Sequence, residues 1–230
     1  MKTQEPTNIF SQNNAASFDK QREKLAPLKD ALHLCIRMLL SKLPSDARVL
    51  CVGVGTGSEL IYLALAFPHW QFTVVEPASA MLDLCRNRAN ESGISKRCTF
   101  HEGYLESLPD SGAFDVATSI LVSHFLVNPE DRTRYFSEIA LRLIPGAYLI
   151  NADLASDMST FEYKSLLKVW LTMHEYAGMP VNIDSFGHRV AILPIEEVKS
   201  IIAGSGFDTP VLFFQTLLIH AWFSKVNSAR

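Results

Sequence analysis

No run of lysine or arginine occurs anywhere in this 230-residue chain, and 21 basic against 24 acidic side chains leave a formal net charge of -3. That balance lacks the footprint of a phosphate-backbone binder, so nucleic acid is disfavoured as a partner. Nor does any stretch offer the roughly 18 uninterrupted apolar residues that a membrane span needs. Residues 1–17, rich in Asn, Gln, Thr and Ser, have no apolar signal core, so a soluble protein with a disordered start is expected. The four cysteines, Cys35, Cys51, Cys85 and Cys98, form no C-x-x-C pair. Each lies in an apolar or periodic stretch where a reduced thiol packs as a small hydrophobe, which fits a cytoplasmic setting. His33, His69, His101, His174, His188 and His220 show no ligand spacing among themselves, and no metal site is expected.

What is present is apolar sequence in alternating periods. With 48% hydrophobic residues over this length, a sizeable core fits one α/β domain over residues 18–230 better than two. Leu28, Leu32, Cys35, Ile36, Leu39, Leu40 and Leu43 recur at helical spacing until Pro44. The run RVLCV (48–52) then reads as a strand that breaks into Gly53-Val54-Gly55-Thr56-Gly57, and an apolar helix follows over 60–67. The alternation continues with a strand at 72–76, a helix at 79–90, and strands at 98–101 and 114–121. Asn128 is placed to cap a helix starting at Pro129, which Pro145-Gly146 ends before a fifth strand at 147–152. Such β-α-β-α order implies a mostly parallel sheet. Residues 154–193 interrupt it with a helical stripe (Tyr163, Leu166, Leu167, Trp170, Met173, Ala177) that reads as an inserted cap. A last helix at 194–203 precedes residues 211–223, long enough for two closely connected strands.

Three alternate glycines straight after a strand let the backbone turn tightly, approach a ligand and leave helix N–H groups facing it. The other reading is a bare strand-to-helix turn. Glu76 closes the second strand 19 residues after Gly57, the position from which an acid accepts ribose hydroxyls in doubly wound nucleotide folds; alternatively it is a solvated strand-end acid before Pro77. Ser58 stands where the dinucleotide fingerprint G-x-G-x-x-G needs glycine or alanine, which disfavours a nicotinamide enzyme. His124 and Asp153 both follow strands at the carboxyl edge, the ligand-binding edge of an open α/β sheet. Either is a candidate to orient an acceptor or take its proton, or else a polar group settling a buried loop.

VLCVGVGTG, FTVVEPASAMLDLCR, HEGYLESLP, FDVATSILVSHFL and LIPGAYLINADL, in that order, resemble the successive motifs of the class I S-adenosylmethionine-dependent methyltransferases. The resemblance implies a Rossmann-like seven-stranded, mostly parallel sheet ending in an antiparallel pair, and S-adenosyl-L-methionine as cofactor. Carried over residue by residue, it implies Gly53, Gly55 and Gly57 as the cofactor turn, Glu76 and Pro77 at the ribose, and Met81, Tyr104 and Leu105 around adenine. Ile120 would face the methionine portion. SFDKQREKLAP and FFQTLLIHAWF look more narrowly like relatives of the carboxy-S-adenosylmethionine synthases, which would make Arg22 a carboxylate contact or, equally, a surface arginine. Two departures stand out: Cys51 replaces the acid that helps hold the methionine ammonium, and Tyr104 replaces an acid near the adenine amino group. Glu59, just inside the following helix, either restores that negative charge or is an ordinary exposed helical acid.

The resemblance implies methyl transfer to an acceptor held in line with the S–CH3 bond, with a base needed only where the acceptor loses a proton. The apolar cap and the acidic net charge favour a small organic acceptor, and a homodimer is left open. Two rivals remain: a carboxy-S-adenosylmethionine synthase-like enzyme, whose cofactor asparagine is absent where Ile120 stands, and a non-catalytic cofactor-binding protein.

Overall fold

The computed structural model describes residues 23–110, 112–179 and 181–227. Seven strands form one sheet in the order β3-β2-β1-β4-β5-β7-β6: β1 (Arg48–Val52), β2 (Gln71–Glu76), β3 (Cys98–Glu102), β4 (Phe114–Ile120), β5 (Leu143–Leu154), β6 (Val211–Thr216) and β7 (Ile219–Lys225). β1 to β5 pair in parallel, and β7 runs antiparallel to both β5 and β6. The Rossmann-like sheet with its terminal antiparallel pair is thus present.

Both faces are covered, which is why the central strands are apolar without alternation. Val49 and Cys51 point into one core with helices α1 (Ala26–Leu40), α2 (Ser58–Ala66) and α3 (Ser79–Glu91). Leu50 and Val52 point into the other, with α4 (Pro129–Leu141) and α6 (Ile195–Gly204). α5 (Phe161–Ala177) lies outside both layers. Its Tyr163 and Trp170 make a third, smaller core with Leu154, Ile192 and Leu218, beyond the carboxyl ends of β5 and β6.

Two element boundaries differ from the sequence expectation. β5 starts at Leu143, with Pro145-Gly146 inside it, because the register jumps from Phe114↔Leu143 to Val116↔Tyr148 and the extra residues bulge out. A bulge tolerates a proline that a regular ladder would not. The β6–β7 hairpin turns on Leu217-Leu218, with Leu217 at φ 49°. A leucine there takes the left-handed conformation that usually marks itself by Gly or Asn.

Strand order reverses on either side of β1: the chain leaves it for β2, then returns beyond β3 to pair β4 with its other edge. A crevice at the carboxyl ends of β1 and β4 follows from that reversal.

Candidate functional site

A cavity of about 1240 Å³ occupies this crevice and runs from the glycine turn to the inner side of α5. At its floor the chain turns through Gly53 (φ 71°) and Gly57 (φ 82°). A Cβ on Gly53 would lie 2.5 Å from a Val122 methyl, and one on Gly57 would lie 2.6 Å from Cys85 Sγ. Only glycine meets both the left-handed φ and the contact. Gly55 opens instead on free space, with nothing within 4 Å of a Cβ built there.

Glu76 is buried, and its two carboxylate oxygens are held apart by backbone donors: Gly55 N–H donates to Oε2 and Ala78 N–H to Oε1, each at 2.9 Å. Burial pushes its carboxyl above the ordinary value, and the two N–H bonds draw it part-way back. Each oxygen keeps a further lone pair, so the side chain is fixed at the cavity wall as an acceptor. Pro77 and Met81 follow it along the wall, Tyr104 and Leu105 border the same region, and Ile120 closes it from β4. Met81 and Leu105 are buried whereas Tyr104 is half-exposed. Arg22 lies outside the described residues.

His124 and Asp153, separate candidates in the sequence, are partners. Asp153 is fully buried at the end of β5. Its Oδ1 accepts from His124 Nδ1 at 2.7 Å, from His124 N–H at 3.0 Å and from Leu154 N–H at 3.1 Å. Ser123 Oγ donates to Oδ2. Burial alone would raise this carboxyl, but the bonds and charge of His124, the charge of Arg132 and the Ser123 hydroxyl bring it below the ordinary carboxylate range. An ionised carboxylate only accepts, so Nδ1 is the ring nitrogen that carries the proton toward Asp153 and Nε2 is the one left for the cavity. His124 borders the cavity while Asp153 stands behind it.

Arg132 supports the pair from the first turn of α4. That helix begins where Asn128 Oδ1 accepts from Glu130 N–H at 2.8 Å. Arg132 is fully buried, and its Nε donates to Ser123 O at 3.0 Å. Burial lowers its basicity, and the charges of Asp153 and then Glu197 oppose the loss. Leu121, the first residue after β4, takes φ 59°, a strained conformation of the kind that clusters at functional sites.

Ser123 and Arg132 carried no signal in the sequence. Buried arginines are rare, and a helix-start arginine reads as surface. Nor does spacing single out His33, which sits on the buried face of α1, borders the cavity, and is lowered to about 4 by burial and then by Lys29. It is therefore neutral near pH 7.

The inserted helix forms the far wall through Trp170, Met173 and His174, and Trp170 is also 93% buried in the third core (7% exposed). Trp170→Ala is expected to cost about 3 to 5 kcal/mol in urea unfolding while leaving cofactor affinity of the folded protein unchanged. Wild-type stability for this variant would contradict its place in that core.

Residues 49–146 match the family described as methyltransferase domain. Residues 49–146 are thus a methyltransferase domain by sequence, and the chain is similar to the class I S-adenosylmethionine-dependent methyltransferases. The family's cofactor is S-adenosylmethionine. The chain is 27% identical over 183 residues to the biotin biosynthesis bifunctional protein BioHC of Teredinibacter turnerae, a match that covers 74% of this chain and 29% of that protein. It is 24% identical to the carboxy-S-adenosyl-L-methionine synthase of Campylobacter jejuni, over 74% of this chain and 71% of the synthase. In fold it resembles an O-methyltransferase family 2 protein of Planctomyces limnophilus, solved in complex with apigenin, with a TM-score of 0.65 and 16% identity over 94% of this chain and 62% of that one. The chain spans between 29% and 49% of the length of three curated relatives that it matches. No described helix is long and apolar enough to cross a membrane.

Proposed function

We propose that this methyltransferase methylates a small organic acceptor that gives up a proton, with His124 as the base and Asp153 holding it. The observation that carries the reading is the pairing of His124 Nδ1 with a buried carboxylate while the imidazole borders the cavity that begins at the glycine turn. Bound S-adenosylmethionine supplies an electrophilic methyl group and a neutral thioether as leaving group. The residues present fit it: Glu76 offers acceptor lone pairs at the wall, and Gly55 leaves space in front of the turn.

The protein's own part is to place the acceptor and remove its proton. Leu154, Trp170, Met173, Phe214 and Ile219 make the acceptor end apolar, which excludes water and favours an organic ring or chain over a polymer. His124 Nε2 takes the proton, and Asp153, ionised behind it, stabilises the imidazolium that results. The Campylobacter synthase likeness, at 24% identity, is distant. A cap formed by residues 154–193 belongs to this reading, as does a cytoplasmic setting, supported by four free thiols. Light scattering would test for a homodimer.

Glu76→Ala is expected to weaken S-adenosylhomocysteine binding by about 1.5 to 3 kcal/mol per charged hydrogen bond lost. Titration calorimetry on the purified variant reads this, and full-strength binding would remove Glu76 from the ribose site.

A further inference from the structure

The most unusual group at the cavity is one that the reading above does not use. Glu59, the second residue of α2, borders the cavity beside Thr56 and Ser58. It turns inward rather than lying on the helix surface. Its Oε1 is shut off from solvent and has no hydrogen-bond partner among the described residues. No ion pair reaches it among those residues either. An uncompensated carboxylate in such a place costs several kcal/mol unless a cation or proton joins it.

The groups around it are neutral or engaged. From β1 comes the Cys51 thiol, held well above its ordinary value by burial and next by the Glu59 charge itself. From β4 comes the neutral Thr118 hydroxyl, close enough to Glu59 to lower its carboxyl, although neither Thr118 Oγ1 nor Glu59 Oε1 makes a regular hydrogen bond. From α3, Arg88 Nη1 is bonded to Thr56 O and Oγ1 at 3.2 Å, with Ser58 Oγ at 3.5 Å. From α1, Lys29 and the neutral His33 border the same cavity, and Lys29 pairs with Asp30 at 3.7 Å. Burial leaves the Glu59 carboxyl at about 7, with Thr118 drawing it down part-way.

We propose that Glu59 is the receptor for the cofactor's α-ammonium group: the negative charge that Cys51 cannot carry on the strand is supplied from the helix, under the same glycine turn. This rests on the cavity being the S-adenosylmethionine site. A ligand ammonium would give Oε1 its missing donor and neutralise the buried charge in one contact. Because the ammonium selects the ionised carboxylate, binding below pH 7 expels a proton from Glu59 and affinity climbs as pH rises through that value.

The test is calorimetry with two ligands, S-adenosylhomocysteine and 5′-methylthioadenosine, which has the same nucleoside but no amino acid. Glu59→Gln keeps the shape and removes the charge. Its expected effect is a loss of about 10- to 100-fold in S-adenosylhomocysteine affinity, with 5′-methylthioadenosine affinity and the melting temperature undiminished. Between about pH 6 and about pH 8 the wild type should gain roughly 10-fold in S-adenosylhomocysteine affinity beyond any change in the variant. Buffers of different ionisation enthalpy should show proton release that the variant lacks. Equal loss of both ligands, or no loss of either, overturns the role of Glu59 and leaves the cofactor site standing. Failure of both ligands to bind the wild type overturns the cofactor site and the proposal together.

Discussion

His124→Ala is expected to lower turnover about 10²- to 10⁴-fold for an acceptor that must lose its proton, while S-adenosylhomocysteine binds as in the wild type. The expectation follows from position. The imidazole borders the cavity, and Nδ1 is committed to Asp153, so its removal takes away a proton acceptor without touching the glycine turn or Glu76. Asp153→Asn tests the same pair from behind. The amide cannot enforce the tautomer that leaves Nε2 free, so turnover should fall although His124 remains. Asp153 is held below the ordinary carboxylate range, so its contribution to stability is present above the unfolded value of about 4 and is lost only as pH falls through the folded one. Activity lost on mild acidification therefore does not come from Asp153. Methyl transfer from labelled S-adenosylmethionine to a panel of phenols, carboxylic acids and amines measures the effect, and a His124→Ala enzyme with wild-type turnover would remove the base.

Cys51→Asp, which restores the acid that most family members carry at this place, is expected to destabilise the fold by about 3 to 5 kcal/mol. From the sequence the change either tightens the grip on the cofactor, if the buried charge finds its partner, or destabilises the fold, if it does not. The second is expected, because Cys51 is fully buried and Glu59 already brings a carboxylate to the same pocket. Two carboxylates there cannot both ionise without a cation, and one must take up a proton. Urea unfolding of the variant reads the loss. The double variant with Glu59→Gln should recover most of it, since the two sites share one cause. A stable Cys51→Asp protein that binds S-adenosylhomocysteine more tightly would contradict this account of the pocket.

Much of the fold was legible because it depends on buried periodicity. β1 and β2 are apolar on both faces, and only a sheet covered on both sides needs that. The glycine turn and Glu76 were legible for a related reason: close backbone approach and a strand-end acid are local demands. The site beyond them was less so. Ser123 donates to Asp153 and Arg132 to the Ser123 carbonyl, tertiary contacts that no spacing encodes. Glu59 reads as a solvated helix acid until the helix is seen to lie with that side against β1 and β4. The hairpin turn hides in leucines, and the bulge in β5 disguises its first residues as a helix stop.

Binding of S-adenosylhomocysteine to the wild-type protein and to Glu76→Ala tests the central claim most directly. The account predicts saturable binding at one site per chain in the wild type and a clear loss in the variant. Absence of heat or protection of the wild type at millimolar ligand would contradict the assignment of this cavity to the cofactor.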